Sequence, residues 1–349
     1  MNIIQDTLIN WFAENRRDLP WRHDPSPYQV WLSEIILQQT RVNQGLDYYL
    51  RFIERWPTVA DLAQASEEAV LKMWQGLGYY SRARNLHHCA QQVVNEYGGE
   101  FPADFEKLKH LKGIGDYTAA AIASIAFNLP HAVVDGNVYR VLARLYDIDT
   151  PININEGQTL FAKLADELLN HKQPGLHNQA LMEFGALHCT PKNPNCLHCP
   201  LQSQCLAFAN QTVILRPVKL AKTKVTTRYF NYLVIRVEDS VYLHKRSGND
   251  IWKNLYDFPC IESETPMTVE EVVASEKFRQ LIEEKPFTIT KVSPIYTHKL
   301  THRTLLAQFI EIKLEQKLLQ IETKDLFLTR ETELGNFPIP RLIDLYLNN

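Results

Sequence analysis

Four cysteines crowd one short stretch, and any fold for this chain must either gather them or leave four thiols loose. Cys189, Cys196, Cys199 and Cys205 stand in CTPKNPNCLHCPLQSQC with the spacing C-x6-C-x2-C-x5-C. Thiolates this near in sequence can converge on one polyvalent centre, and Pro191, Pro194 and Pro200 stiffen the loops between them. Zinc usually takes two C-x2-C pairs with a spacer folded around the ion. One such pair is present, and Cys199 is followed by proline, as in ferredoxin-like cluster runs. Thiol chemistry therefore favours a 4Fe–4S cluster over zinc, with disulfides third. The N-terminal MNIIQDTLINWFAENRR carries Asp6 and no basic start before an apolar stretch, so it does not read as a secretion signal and a cytoplasmic protein is expected. Cys89 and Cys260 lie outside the pattern and read as buried thiols.

A chain of 349 residues exceeds one ordinary core and suggests two domains. Up to residue 212 the period is helical. Apolar residues recur at three- and four-residue spacing in Leu8–Phe12, Val30–Leu37, Leu62–Met73, Leu86–Val94, Thr118–Phe127, Val138–Tyr146 and Leu160–Leu169. From residue 229 the period changes. Tyr229–Val237 and Val241–His244 alternate as strands about a turn at Glu238-Asp239-Ser240, and Lys291–Thr297 and Thr304–Leu314 also read as strands. Helices are expected over Val269–Glu284 and Pro340–Leu347. The organisation is thus a mostly α-helical domain over 1–212, a linker over 213–228 and an α+β domain over 229–349. The longest apolar run, around Ala119–Phe127, is far too short to cross a bilayer.

The net charge of −3 does not advertise a nucleic-acid binder. Only the linker is strongly basic, with Arg216, Lys219, Lys222, Lys224 and Arg228 and no acid, a pattern that is usually a solvated connector. Any binding to nucleic acid must then rest on local geometry. One candidate is LKGIGDYTAAAIASIAF, where Gly113 and Gly115 precede an alanine-rich helix. Glycines there let backbone N–H groups point outward beside a helix N-terminus, as in a helix–hairpin–helix that grips one phosphate. Such a pair also closes ordinary tight turns.

Two carboxylates occupy contrasting settings. Glu34, in YQVWLSEIILQQT, has Val30, Trp31, Leu32, Ile35, Ile36 and Leu37 around it. Desolvation there would raise its pKa, as a general acid needs; the alternative is a carboxylate on the wet edge of the helix. Asp135, in HAVVDGNVYRVLARL, precedes a helix as a natural N-cap, where N–H bonds and the helix dipole would keep it ionised. Capping and catalysis are compatible. One protonated and one ionised carboxyl are what glycosidic cleavage through an oxocarbenium-like state requires.

Together these residues resemble the endonuclease III-like superfamily of helix–hairpin–helix DNA glycosylases, and within it the adenine DNA glycosylases. The resemblance is carried by RRDLPWR (Arg16–Arg22), WLSEIILQQTRV (Trp31–Val42), GLGYYSRARNL (Gly76–Leu86), LKGIGDYTAAAI (Leu111–Ile122), VDGNVYRVLARL (Val134–Leu145), NQALMEFGALHC (Asn178–Cys189) and the cysteine spacing. It implies a six-helix barrel with a 4Fe–4S subdomain. It implies a monomeric, monofunctional enzyme of base excision repair that hydrolyses the N-glycosidic bond of adenine mispaired with 8-oxoguanine or guanine in double-stranded DNA. Glu34 would protonate the adenine and then help activate water, and Asp135 would stabilise or briefly capture the sugar cation, with Tyr117 and Asn137 lining the same pocket. Trp21, Arg22, Gln173 and Gln179 would hold the flipped adenine. Gln39, Thr40, Leu77 and Tyr79 would wedge into the duplex and contact the opposite 8-oxoguanine. Bifunctional members carry lysine where Tyr117 stands, one residue after Asp116, and use it to form a Schiff base with the sugar. Its loss implies base removal without strand cleavage.

The second domain resembles a Nudix-like domain more loosely. Relatives carry a Phe-Ser-His loop that checks for 8-oxoguanine, and Tyr296, Thr297 and His298 stand in its place. The glycine and glutamate-dense helix of Nudix hydrolases are missing, and Asp257, Glu262 and Glu264 are too scattered to hold magnesium in that way. The resemblance therefore implies a recognition module and not a second enzyme.

Overall fold

Short polar side chains decide where several helices of this chain begin. In the computed structural model, which describes residues 3–23, 25–220, 226–283, 285–300, 303–318 and 325–348, Ser26 accepts a hydrogen bond from the Gln29 N–H and starts the helix Pro27–Leu37. Asp135 accepts from both Asn137 and Val138 and starts Gly136–Leu145. Ser66 accepts from Ala69, so the helix expected across Leu62–Met73 is two, Val59–Gln64 and Glu67–Met73. Ser275 likewise accepts from Phe278 and divides the helix expected over Val269–Glu284 into Val269–Ala274 and Glu276–Ile282. Each such cap contributes about 1 kcal/mol, enough to set a boundary though not to hold a helix.

The chain forms two compact units: Met1–Gln64 with Asn85–Ala221, and Ala65–Arg84 with Lys222–Asn349. The first unit is helical. Its core gathers Leu8, Phe12, Val138, Leu142, Phe161 and Phe184 from four helices. Helix Pro174–Leu187 lies against two others at positions where a side chain would not fit. A Cβ at Gly175 would stand 2.5 Å from the Ser124 carbonyl oxygen, and one at Gly185 would stand 2.6 Å from Asn137 Cβ. The start of the basic run stays with this unit, because Arg216 pairs with Asp147 at 2.9 Å. Lys222 and Lys224 lie outside the described residues.

The second unit is built on a mixed sheet of eight strands among the described residues. Its spine is Thr226–Val237, paired in parallel with Arg303–Leu314 from Thr226↔Arg303 to Val237↔Leu314. Leu233, Ile235, Val272, Phe278, Ile310 and Ile312 form the core between this spine and the two short helices. The strand expected over Lys291–Thr297 is two, Phe287–Val292 and Tyr296–Lys299, both antiparallel to Arg303–Leu314. The break falls at Ser293-Pro294. Proline cannot donate to the ladder, and Ser293 Oγ accepts the Phe309 N–H instead. Residues 65–84 belong to this unit through specific bonds: Lys72 Nζ donates to the Phe337 carbonyl, Tyr80 Oη to that of Ile339, and Tyr256 Oη to Glu68.

Candidate active site and recognition pocket

A cleft of about 850 Å³ opens in the helical unit, and Glu34, Tyr117, Asp135 and Asn137 all line it. Glu34 comes from the second half of Pro27–Leu37, a mostly apolar helix. Tyr117 Oη donates to Glu34 Oε2 at 2.5 Å and lies 3.9 Å from Met182 Sδ. Burial pushes the Glu34 carboxyl up to about 7; the Tyr117 hydroxyl opposes the rise, while the negative charge of Asp135 adds to it. At neutral pH Glu34 is therefore poised between its acid and its base.

Asp135 is held differently. Its Oδ1 accepts from the backbone N–H groups of Asn137 and Val138 at 2.8 and 2.7 Å, and its Oδ2 from Asn137 Nδ2 at 2.7 Å. The cap alone would keep this carboxylate below the ordinary range. Burial outweighs the donors and the Arg140 charge, however, and its pKa lies above the usual aspartate value. Three donors against one still make Asp135 the better-supported anion of the two.

Trp21 and Arg22 line the same cleft, as do Gln39 and Thr40. Gln39 has φ 59°, a left-handed conformation that a side chain such as glutamine adopts only where the surroundings hold it. Gln173 and Gln179 are not part of the cleft wall: Gln173 is exposed at the N-cap of Pro174–Leu187, and Gln179 is half-buried within that helix. A residue the sequence reading passed over is central instead. Glu183, 1% exposed, accepts from Arg17 Nε and Nη2 and from Arg22 Nη1 and Nη2 at 2.6–3.0 Å. Its pKa falls to about 2, because these bonds overcome a burial that would raise it. A lone acid in the apolar run of NQALMEFGALHC, with Arg16-Arg17 upstream, was the available signal.

The glycine hairpin takes the conformation its residues suggest. Gly113 has φ +80°, and a Cβ there would stand 2.8 Å from Asn85 Cβ. Gly115 is the N-cap of Asp116–Phe127 with no side chain closing the helix end. Lys109 pairs with Asp116 at 2.8 Å beside it.

The four cysteines are half-buried free thiols; burial raises the pKa of Cys196, Cys199 and Cys205, and the neighbouring sulfurs add to the rise. Arg144 binds the loop that carries them, donating to Cys189 Sγ at 3.3 Å and to the Thr190 carbonyl at 2.8 Å. Arg140 ties the same loop to the Asp135 helix, with Nε on the Cys189 carbonyl at 2.7 Å and Nη2 on Asn137 Oδ1 at 2.9 Å. Among the described residues no three His, Cys, Asp or Glu side chains are set to hold a single metal ion.

The second unit has its own pocket, of about 560 Å³, where Leu77 and Tyr79 meet His298. Gly76 and Gly78 have φ 99° and 72°, and Tyr79 itself φ 48°, so this loop is tightly bent. Trp74 Nε1 and Arg82 Nη2 donate to the Gly78 carbonyl, and the Arg82 guanidinium lies over the Trp74 and Tyr79 rings. Tyr79 is 47% exposed, a large ring kept in solvent. Tyr296 and Thr297 do not line this pocket: Tyr296 packs edge-on against Phe309 and Tyr346, and Thr297 is exposed on the alternate face of its strand.

The adenine DNA glycosylase of Buchnera aphidicola subsp. Baizongia pistaciae is 34% identical over 308 residues, covering 87% of this chain and 84% of its own length. The chain belongs to the adenine DNA glycosylase family. The adenine DNA glycosylase of Arabidopsis thaliana is 37% identical over 92% of this chain and 58% of its own, and that of Mus musculus 47% identical over 58% of this chain and 41% of its own. Residues 32–165 match the HhH-GPD superfamily of base excision DNA repair proteins, and residues 231–349 the NUDIX domain. A thermostable thymine-DNA glycosylase superposes with a TM-score of 0.55 at 29% identity, over 60% of this chain and 96% of its own. An endonuclease III–DNA complex, at 23% identity and a TM-score of 0.51 over 60% of this chain and 94% of that one, shares the fold. As a member of the adenine DNA glycosylase family the protein is a DNA glycosylase, a hydrolase of base excision repair, with a helical HhH-GPD domain followed by a NUDIX-like one. No helix among the described residues is long and apolar enough to cross a membrane.

Proposed function

We propose that the protein hydrolyses the N-glycosidic bond of adenine mispaired with 8-oxoguanine or guanine, after the adenine flips out of the duplex. One observation carries the reading: an acid with a pKa of about 7, hydrogen-bonded to Tyr117, shares one cleft with a second carboxylate held by three donors. Flipping costs a few kcal/mol, less at a mismatch, which favours mispaired adenine. Neutral Glu34 gives its proton to the base, so that adenine leaves as a neutral molecule and the sugar is left as an oxocarbenium-like cation. Asp135 lies ionised against that cation or captures it briefly. Glu34, now a carboxylate, takes a proton from the water that adds to C1′, which restores its acid form. Among the described residues no lysine lines the cleft, so Schiff-base chemistry has no amine there.

The four thiols fit a 4Fe–4S cluster better than a single ion. Arg144 donates to Cys189 Sγ, and backbone N–H groups of Leu201, Ala207 and Phe208 reach Cys199 and Cys205, the hydrogen bonding that cluster sulfurs receive. Cys189, Cys196, Cys199 and Cys205 would hold it. When bound it supplies a rigid anchor for the loop, and no reaction step passes through it. Gly113, Gly115 and the open end of Asp116–Phe127 would hold a DNA phosphate.

The test is the full-length Glu34→Gln variant. It should bind an adenine:8-oxoguanine duplex yet release adenine at least about 10²–10⁴-fold more slowly, the usual worth of a general acid. Turnover at the parent rate would overturn the acid assignment. The purified protein should be brown with about four irons per chain, and stoichiometric zinc would refute the cluster.

A further inference from the structure

We propose that Met182 is an oxidation site of the catalytic cleft, where conversion of its thioether to the sulfoxide draws the Tyr117 hydroxyl away from Glu34. The inference rests on reading Glu34 as the acid of base removal. Tyr117 Oη has a single proton and two acceptors facing it, Glu34 Oε2 at 2.5 Å and Met182 Sδ at 3.9 Å. A thioether sulfur is a weak acceptor, so in the reduced protein the carboxyl takes the bond. A sulfoxide oxygen is strongly polar. One S–O bond directed along the existing contact brings that oxygen within hydrogen-bond distance of the same hydroxyl.

The position is open to a small oxidant. Met182 stands on helix Pro174–Leu187, is half-buried and lines the cleft of about 850 Å³, while also packing against the apolar cluster of Ala120, Ala121 and Val133. Hydrogen peroxide suffices for the step. The sulfur lone pair takes one peroxide oxygen, the O–O bond breaks and water leaves, so that sulfur loses two electrons and the peroxide gains them. Methionine sulfoxide reductases return the thioether, which makes the change reversible. Among the described residues Met182 is the methionine of this unit, and Met73 and Met267 belong to the other. The groups that act on Glu34 are Tyr117, Asp135 and Arg22. The Tyr117 bond and the Arg22 charge hold its carboxyl down against burial and Asp135, so withdrawing the bond lets it rise further.

The experiment treats the full-length protein with hydrogen peroxide and follows oxidation of each methionine by peptide mass. Single-turnover base release is then measured on an adenine:8-oxoguanine duplex between pH 5 and 10. In the treated parent the alkaline limb should move from about 7 to about 8–9, as loss of a hydrogen bond to a charged group implies. The plateau below it should fall, because a weaker acid gives up its proton less readily. Methionine sulfoxide reductase should restore both. Met182→Leu, a swap of nearly equal volume, should give the same profile before and after treatment. Treated Tyr117→Phe should show no further movement of the limb, since the proton at issue is already gone. An unmoved limb in a parent oxidised at Met182 would overturn the proposal, and so would equal changes in Met182→Leu, which would trace the damage to another group. A Met182 that stays reduced while Met73 and Met267 are oxidised would overturn it as well. Failure of the underlying reading looks different: Glu34→Gln would then release adenine at the parent rate.

Discussion

Replacing Tyr117 by phenylalanine removes one hydroxyl and separates two jobs that it could do for Glu34. The bond is short, 2.5 Å, and is donated to a carboxyl whose pKa lies at about 7. A hydrogen bond to a charged group is worth about 1.5–3 kcal/mol, and 1.36 kcal/mol equals one pKa unit, so its loss should raise the Glu34 pKa by about one to two units. In the proposed mechanism Glu34 acts as the acid, so the rate of base release falls as pH rises through that pKa. The alkaline limb of the single-turnover rate should therefore move from about 7 in the parent to about 8–9 in Tyr117→Phe. At pH 8 the parent holds roughly a tenth of its Glu34 as acid, and the variant half or more. In the same mechanism the acidic limb is that of Asp135, whose rate contribution is lost as pH falls through its raised pKa, and it should stay where it is. Single-turnover assays on an adenine:8-oxoguanine duplex between pH 5 and 10 would read both limbs. A uniform loss of rate with the alkaline limb unmoved would refute the electrostatic role and leave Tyr117 only a positioning one.

Three further outcomes follow from the geometry of the cleft. Glu34 has a folded pKa above its unfolded one, so its contribution to stability is present at low pH and lost as pH rises from about 4.5 to 7; Glu34→Gln should be more stable than the parent at pH 8 by up to about 3 kcal/mol, and an equal or lower urea midpoint would contradict the burial argument. Glu183 is the opposite case, depressed to about 2, and its contribution is present above about 4.5 and lost as pH falls toward 2; Glu183→Gln strands Arg17 and Arg22 and should cost about 3 kcal/mol at pH 7, with a shift within 0.5 kcal/mol, about what a surface substitution gives, counting against the pair. Gly185→Ala would normally stabilise a helix interior by about 0.5–1 kcal/mol, yet its Cβ meets Asn137 Cβ at 2.6 Å and the Asn137 carbonyl oxygen at 2.9 Å; the variant should unfold earlier and release base more slowly, and a stabilised, fully active protein would sink the close-approach argument.

What was legible in the sequence was local. Period-3.6 runs located the helices whose buried stripe is dense, such as Asp116–Phe127, where seven residues are buried. Helix Val42–Arg55 escaped because it buries only Gly45, Tyr49 and Phe52, about one residue per turn, while Leu46 and Ile53 stay half-buried and Leu50 is exposed. The breaks at Ser66 and Ser275 escaped for another reason. An N-cap serine has the same letter as a helical serine, and only the path of the chain decides which it is. Glu34, Tyr117, Asp135 and Asn137 were found as motifs, and the structure brings all four to one cleft. Glu183 was not found, because its partners Arg17 and Arg22 lie more than 160 residues away and nothing in a linear pattern joins them. The assignment of residues 65–84 to the second unit is also non-local, resting on bonds such as Lys72 to the Phe337 carbonyl across 265 positions.

The two carboxyls of the cleft are both pushed upward by burial, so burial alone cannot divide their labour. The division comes from donors. Asp135 has three N–H groups directed at it and Glu34 has a single hydroxyl, and a hydroxyl can turn to accept as well as donate where a backbone N–H cannot. The Glu34 site therefore suits either protonation state with little rearrangement, whereas the Asp135 site suits only the anion. A group that must give up a proton and take one back in each turnover needs the first kind of environment. A group that must face a positive sugar throughout needs the second. Exchanging the two environments, more than altering either pKa by itself, is what would disable this cleft.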